Sequence, residues 1–217
     1  MKPYFEEAGI TIFHGDCREV LGMYSGFIVT DPPYGIDHPT DYRARGRGAL
    51  AECADYPRVA GDAEPFEPSF LLDRPCVLFG ANYFADRLPP SSGWLVWDKM
   101  RPHGLDQATA ELAWSNFVKG VRVFRYLWNG MIRDGNEALE HPTQKPVALM
   151  KWILALKWTP AGRVIDPFMG AGSTLIAAKD MGREAVGIEL EERYCEIAAR
   201  RLSQSAMQFG TQNESRD

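Results

Sequence analysis

The chain has 217 residues, 45% of them apolar, and a net charge of −5, which is enough for one sizeable core and ordinary for a globular protein. No apolar run is long enough to cross a bilayer. The stretch from Met1 to Gly9 carries acids rather than a basic region followed by an apolar one, so no secretory signal is expected.

A single domain is expected over residues 1–217. In chain order, apolar runs predict strands at Ile10–His14 and Phe27–Asp31. A segment rich in Gly, Pro, Asp and Arg follows, from Ile36 to Glu67, and a loop of that length in a compact domain is functional or disordered. Further strands are predicted at Cys76–Phe79, Leu95–Trp97, Leu112–Ser115 and Val121–Leu127, with irregular stretches at Lys99–Ala110 and Asn129–Thr143. A helix over Pro146–Lys157 carries proline near its start, where a missing N–H costs nothing. Strand Val164–Asp166, helix Ser173–Met181 ending at Gly182 as C-cap, and strand Ala185–Glu189 come next. The last helix, Glu191–Leu202, follows an apolar spacing of Leu190, Tyr194, Ile197, Ala198 and Leu202, and the polar tail from Ser203 to Asp217 is expected to fray. Strands alternating with helices predict an α/β fold with a parallel sheet.

Val164-Ile165-Asp166 runs into Pro167-Phe168-Met169-Gly170-Ala171-Gly172-Ser173-Thr174. A strand, a glycine-rich turn and a helix in that order let the backbone turn sharply and approach a ligand closely. The next strand ends at Glu189, where an acid in a Rossmann-like sheet accepts hydrogen bonds from ribose hydroxyls. A dinucleotide site wants a third glycine where this chain has Leu175. Asp166 would repel a pyrophosphate but can pair with an ammonium. The residues therefore favour S-adenosylmethionine over NAD as cofactor.

Phe27-Ile28-Val29-Thr30 leads into Asp31-Pro32-Pro33-Tyr34. The prolines stop the strand, fix φ and lack N–H donors, and the residue before them is held extended. The turn presents a carboxylate, main-chain carbonyls and an aromatic face at a strand end, where ligands bind in open α/β folds. That set suits the exocyclic amino group of a base: Asp31 accepts one hydrogen and the Pro32 carbonyl the other, while Tyr34 stacks on the ring. A base in a duplex must be flipped out to reach it, at a cost of a few kcal/mol, roughly, of which stacking returns about 1–3 kcal/mol. Holding nitrogen and methyl in line can supply roughly 7–11 kcal/mol of the acceleration, with no metal needed.

The two motifs together, Asp31–Tyr34 first and the glycine turn last, resemble the amino-methyltransferases that act on DNA, in their circularly permuted β arrangement. His14-Gly15-Asp16-Cys17 and His141-Pro142-Thr143-Gln144-Lys145-Pro146 match further family segments, so that the resemblance covers nearly the whole chain. It implies a Rossmann-like, class I methyltransferase sheet of seven mostly parallel strands, helices on both faces and one antiparallel strand near an edge. It implies that Asp16 meets the cofactor's adenine ring and that Asp31 also touches its amino end. Phe168 and Leu190 pack near the adenosine, and Thr143 and Lys145 lie near the methionine end. Gly170, Gly172, Ser173 and Thr174 line the cofactor turn, and Cys17 lines the cofactor rather than acting as a nucleophile.

Double-stranded DNA is the implied substrate. Its phosphates need cations, which makes Arg43, Arg45 and Arg47 in the 36–67 loop the expected contacts, despite the negative net charge. The interval left for target recognition, about 99–140, is short. That allows a short target or a homodimer giving surface in trans, and any restriction nuclease would be a separate chain. Asp31 favours adenine N6, since serine often stands first in the cytosine-N4 enzymes.

Three alternatives remain: cytosine-N4 transfer, a non-catalytic module binding S-adenosylmethionine or DNA, and a NAD-dependent oxidoreductase. The intact Asp31, Tyr34, Gly170, Gly172 and Glu189 count against the second, Leu175 and Asp166 against the third. Cys17, Cys53, Cys76 and Cys195 show no CxxC spacing, and His38 and His103 sit at no ligand spacing, so neither a disulfide framework nor a metal site is expected, and the setting is a reducing cytoplasm. Pro75-Cys76 precedes an apolar run and is read as core, as are most of the tryptophans.

Overall fold

The computed structural model describes residues 1–37, 60–101, 108–129, 132–135, 137, 138, 140 and 144–210. Along them lie strands β1 (Phe5–Glu7), β2 (Ile10–His14), β3 (Phe27–Thr30), β4 (Cys76–Phe79), β5 (Gly93–Asp98), β6 (Ala110–Ser115), β7 (Val121–Arg125), β8 (Trp128–Asn129), β9 (Ile132–Arg133), β10 (Val164–Asp166) and β11 (Ala185–Glu189). The helices are α1 (Cys17–Val20), α2 (Val147–Leu154), α3 (Ser173–Asp180) and α4 (Glu192–Gly210), with short 3-10 turns between elements. Where the sequence expects one domain, contacts divide the chain into two compact units, Met1–Thr30 with Gln144–Asp217, and Asp31–Thr143.

The first unit holds five strands in the order β1-β2-β11-β10-β3. Strands β2, β11, β10 and β3 run parallel, and β1 is antiparallel to β2 at the edge. Their residues are apolar runs buried on both faces, as parallel strands covered by helices require: all of β3 and β10 and most of β11 are buried. Ala8 (φ 50°) and Gly9 (φ 79°) make a two-residue turn with both φ positive, the conformation that closes a tight β1–β2 hairpin. Pro146, extended at ψ 140°, is the N-cap of α2 rather than its first helical residue. Gly182 adopts φ 65° after α3, donates to the Lys179 carbonyl, and Arg183 donates to the Ala178 carbonyl. These two bonds satisfy the last carbonyls of the helix in the pattern that favours glycine. Helix α4 buries Tyr194, Cys195, Ala198 and Leu202 and continues to Gly210, well into the polar stretch. Leu190 does not share that buried face; it precedes the helix and is 58% exposed.

The second unit holds β4-β6-β5-β7. Strand β6 is antiparallel to both β4 and β5, and β7 is parallel to β5. Strand β4 is wholly buried, whereas β7, at the edge, alternates exposed and half-buried residues. Strands β8 and β9 form a small hairpin inside a stretch the sequence leaves irregular.

Two features of the expected sheet are corrected. Nine strands, five in one unit and four in the other, replace seven. Two strands rather than one are antiparallel to their neighbours, the edge strand β1 and β6, which is third from the β7 edge.

Strand β3 carries the chain into the Asp31 turn, and Ile28 on it is fully buried. Ile28→Ala is expected to lower stability by about 2–5 kcal/mol, the usual cost of such a core truncation. Urea denaturation followed by circular dichroism checks this.

Candidate active site

In the first unit the register brings four strand ends to one edge. Glu189 pairs with His14 and Asp166 with Gly187, while Ile165 pairs with Ile28 of β3. The carboxyl ends of β2, β11, β10 and β3 therefore present His14 to Cys17, Glu189, Asp166 and Thr30 side by side. The Gly15 amide donates to the Glu189 carbonyl at 2.9 Å, and a His14 ring nitrogen lies 3.1 Å from the Leu190 carbonyl.

The glycine turn is held by acids. Oε2 of Glu189 accepts from the Gly170 amide at 3.0 Å, and its Oε1 from the Glu191 amide at 2.9 Å. Burial raises the Glu189 carboxyl above the usual range, and these amides partly oppose the shift. Oδ1 of buried Asp166 accepts from the Thr30 hydroxyl at 2.6 Å and from the Phe168 amide at 3.2 Å. Gly170 and Gly172 adopt φ 50° and 78°, and a Cβ at Gly172 would stand 2.9 Å from the Ala198 Cβ. Helix α3 starts at Ser173, whose buried Oγ has no hydrogen-bond partner among the described residues, and Thr174 is buried beside it. Leu175 packs against β11 at Gly187, where a Cβ would lie 2.7 Å from a Leu175 methyl and 2.5 Å from Met169 Sδ.

The other expected cofactor residues of this unit are placed as follows. Asp16 caps α1 by accepting from the Arg18 amide at 2.9 Å. Cys17, the first residue of α1, is buried, and that burial pushes its thiol up to about 11. Burial likewise raises Cys76 and Cys195 to about 12. None of these three thiols ionises near neutral pH, so none is an activated nucleophile. Gln144 and Lys145 are buried just ahead of α2, and Leu190 is the exposed apolar residue following Glu189.

In the second unit, the Asp31-Pro32-Pro33-Tyr34 turn folds on itself. The Tyr34 hydroxyl donates to Asp31 Oδ1 at 2.5 Å. Burial, and next the Asp31 charge, hold the Tyr34 phenol well above its ordinary range, so it remains a donor. Tyr83 lies on the Tyr34 ring, with centroids 5.1 Å apart and planes at 16°, and is itself 51% exposed. A Cβ at Gly80 (φ 66°) would overlap the Tyr34 ring, so only glycine leaves that seat open. Oδ1 of Asp62, a residue 4% exposed, accepts from the amides of Tyr34 at 2.8 Å, Gly35 at 2.9 Å and Ile36 at 3.5 Å. Thr30, Asp62, Gly80 and Tyr83 are not singled out by the sequence. Only Gly61-Asp62, a turn pair, carries a local signal.

Arg43, Arg45, Arg47, Thr143 and Cys53 lie outside the described residues. Among the described residues no cluster of three or more His, Cys, Asp or Glu could hold a metal, and no helix is long and apolar enough to cross a membrane.

Comparison with known proteins follows the same lines. A family model described as DNA methylase matches residues 93–200. The type II methyltransferase M2.LlaDCHI of Lactococcus lactis subsp. cremoris is 23% identical over 251 aligned positions, covering 94% of this chain and 93% of that protein. The type II methyltransferase M2.DpnII of Streptococcus pneumoniae is also 23% identical, covering 93% and 92%. Among solved structures, the M1.HpyAVI–SAM complex matches with TM-score 0.53 at 24% identity, over 89% of this chain and 99% of that one. The PvuII DNA methyltransferase, cytosine-N4-specific, matches with TM-score 0.60 at 14% identity, over 92% and 88%. The fold is that of a class I methyltransferase. Over nearly its whole length the chain is similar to type II DNA methyltransferases.

Thr30→Val keeps the shape of the side chain and removes the donor to buried Asp166. A loss of about 1.5–3 kcal/mol is expected, the range for a hydrogen bond to a charged group. Urea titration of the two proteins side by side measures it.

Proposed function

We propose that the protein transfers a methyl group from S-adenosylmethionine to an exocyclic amino group of a DNA base, N6 of adenine being the target. The observation that carries this reading is the Asp31 turn, which gathers a carboxylate, a proline carbonyl and an aromatic ring in four residues.

The turn acts on the amino nitrogen. Asp31 accepts one of its hydrogens, in exchange for the Tyr34 hydroxyl that it binds in the free protein. The Pro32 carbonyl accepts the other. Both bonds draw the nitrogen toward tetrahedral geometry, so that its lone pair becomes the nucleophile. Tyr34 and Tyr83 stack ring on ring, which supports this surface as the one to receive a flipped base, stacking being worth about 1–3 kcal/mol.

The first unit's residues fit S-adenosylmethionine, which when bound supplies an electrophilic methyl on a sulfonium. Glu189, a half-buried acceptor at a strand end, suits ribose hydroxyls. Asp166 suits the α-ammonium. The unpartnered Ser173 Oγ suits a polar group of the ligand, and the positive-φ glycines let backbone come close. Asp16, Cys17, Phe168, Leu190, Thr143 and Lys145 are proposed to complete the cofactor site. Leu190, being apolar and exposed beside Glu189, suits the adenosine. The two glycines of the turn lack the third that a dinucleotide site uses, so a nicotinamide cofactor is not part of the reading.

Arg43, Arg45 and Arg47 are proposed as phosphate contacts, with base reading left to the 99–140 interval. A second copy of the chain adding surface to that interval, and a separate restriction nuclease, belong to the same proposal. Adenine rests on Asp31 heading the motif.

Incubation with labelled S-adenosylmethionine and mixed-sequence duplex DNA, followed by nucleoside mass spectrometry, is expected to put label on N6-methyladenine. Label on N4-methylcytosine would keep the mechanism and change the base. No labelled nucleoside, with cofactor binding intact by calorimetry, would refute the reading. Asp31→Ala is expected to abolish transfer while cofactor binding is weakened but measurable, and wild-type turnover would remove the carboxylate from the mechanism. Replacing Arg43, Arg45 and Arg47 together by alanine should weaken DNA binding and flatten its log–log salt slope by about 2–3, near one unit for each phosphate no longer neutralised. An unchanged slope would take the cluster away from DNA.

A further inference from the structure

Beyond Asp31 itself, the backbone donors of the turn are accounted for within the second unit. Pro32 and Pro33 have no N–H. The next three amides, those of Tyr34, Gly35 and Ile36, all point at one oxygen, Asp62 Oδ1, at 2.8, 2.9 and 3.5 Å. Successive amides converging in this way form a concavity for an anion, and Asp62, 4% exposed, fills it from 26 to 28 residues further along the chain. The segment carrying Asp62 is fixed in turn. The Asp62 carbonyl accepts from the Asp37 amide at 2.8 Å. A Cβ at Gly35 (φ 75°) would stand 2.6 Å from the Glu64 carbonyl oxygen and 2.7 Å from Pro65 Cα. Gly61, at φ 79°, lets the chain turn into Asp62 beside the Pro33 ring.

We infer that Asp62 is a positioning residue for methyl transfer, acting through the Asp31 turn. It does two things there. It fixes the path of residues 34–36, and with it the ring of Tyr34 and the direction of the Pro32 carbonyl. It also removes three N–H donors that would otherwise turn toward the Asp31 carboxylate, so that this carboxylate meets the base amino group with the Tyr34 hydroxyl as the exchanging donor. Asp62 touches neither the base nor the cofactor in this assignment. The inference rests on the function proposed above and names a further residue on which that site depends.

The test compares wild type, Asp62→Ala and Asp62→Asn in single-turnover methyl transfer to mixed-sequence duplex DNA, with S-adenosylhomocysteine affinity measured by calorimetry and folding by thermal melting. Asp62→Ala is expected to slow the transfer step on the order of 10- to 100-fold, as a misplaced reacting group does. Its S-adenosylhomocysteine affinity should stay within about threefold of wild type, because the residues proposed to bind it, Asp31 and Thr143 apart, belong to the other unit. Asp62→Asn keeps an oxygen for the three amides and is expected to recover most of the rate. A purely structural role would instead lower rate and cofactor binding together, in step with the folded fraction, and would overturn the inference, as would an Asp62→Ala rate equal to wild type. Should Asp62→Ala lack a cooperative melt, Asp62→Glu replaces it in the same comparison, since it keeps the charge and shifts the oxygen by one methylene. A wild type that transfers no methyl to DNA fails the functional reading itself, and this inference with it.

Discussion

The parallel register of β2, β11, β10 and β3 is the constraint from which the candidate cofactor edge of the first unit follows. Parallel strands all end on the same side, and here the ends carry His14 to Cys17, Glu189, Asp166 and Thr30. No side chain has to be long to reach this edge; each is delivered by its own strand. The consequence is a buried acid, Asp166, beside a half-buried one, Glu189, and such groups are costly unless hydrogen-bonded. The chain offsets that cost locally, with the amides of Gly170 and Glu191 on Glu189, and the Thr30 hydroxyl and the Phe168 amide on Asp166. Thr30 is also the last residue before Asp31, so one hydroxyl ends β3 against Asp166 and the next residue begins the turn of the second unit.

Leu175 shows how a small exchange changes the class of ligand. In a dinucleotide fold the third glycine sits on the helix so that helix and strand can approach. Here the bulk and the gap have changed sides: Leu175 is on α3, and the glycine it needs is Gly187 on β11. Close packing is preserved, while α3 keeps an apolar anchor with no exposure. The sequence argument from Leu175 against a nicotinamide cofactor is thus joined by a packing reason for the leucine. Any side chain at position 187 would meet Met169 and Leu175 at once.

What could be read without coordinates was governed by range. Strands β2, β4, β10 and β11 have the bounds expected from their apolar runs, because a run buried on both faces declares itself. Strand β1 does not, since two of its three residues are acids and its turn, Ala8-Gly9, lacks the Asn or Asp that marks most tight hairpins. Helix α1 is a single turn, below the length at which periodicity can be seen. Leu190 fits a helical spacing but lies before the helix, and Cys195 takes the buried place instead. At the site, Asp31 and Tyr34 are three residues apart and speak for themselves. Thr30 finds its partner 136 residues away and Asp62 its partners up to 28 residues away. Apart from the preceding Gly61, which marks a turn, nothing in a single sequence separates Asp62 from any other loop aspartate.

The hydrogen bond between Tyr34 and Asp31 bears on how such a site would choose its base. In the free protein the carboxylate is satisfied, and so is one face of the Tyr34 ring, by Tyr83. Taking up an amino group exchanges one hydrogen bond for another, and a net change of about 0.5–1.5 kcal/mol is the usual scale for such a bond. Strong rejection of a wrong group normally comes from leaving a buried partner unpaired. Here the Tyr34 hydroxyl can return to Asp31 whenever no amino group arrives, so the carboxylate is never stranded and rejects little. In the proposed reaction Asp31 would then be a poor filter of bases and a good activator of one. Discrimination by the turn reduces to whether the base brings a nitrogen with two hydrogens and a lone pair. Adenine and cytosine both do, so the proposed preference for adenine rests on the resemblance that Asp31 carries and not on this exchange.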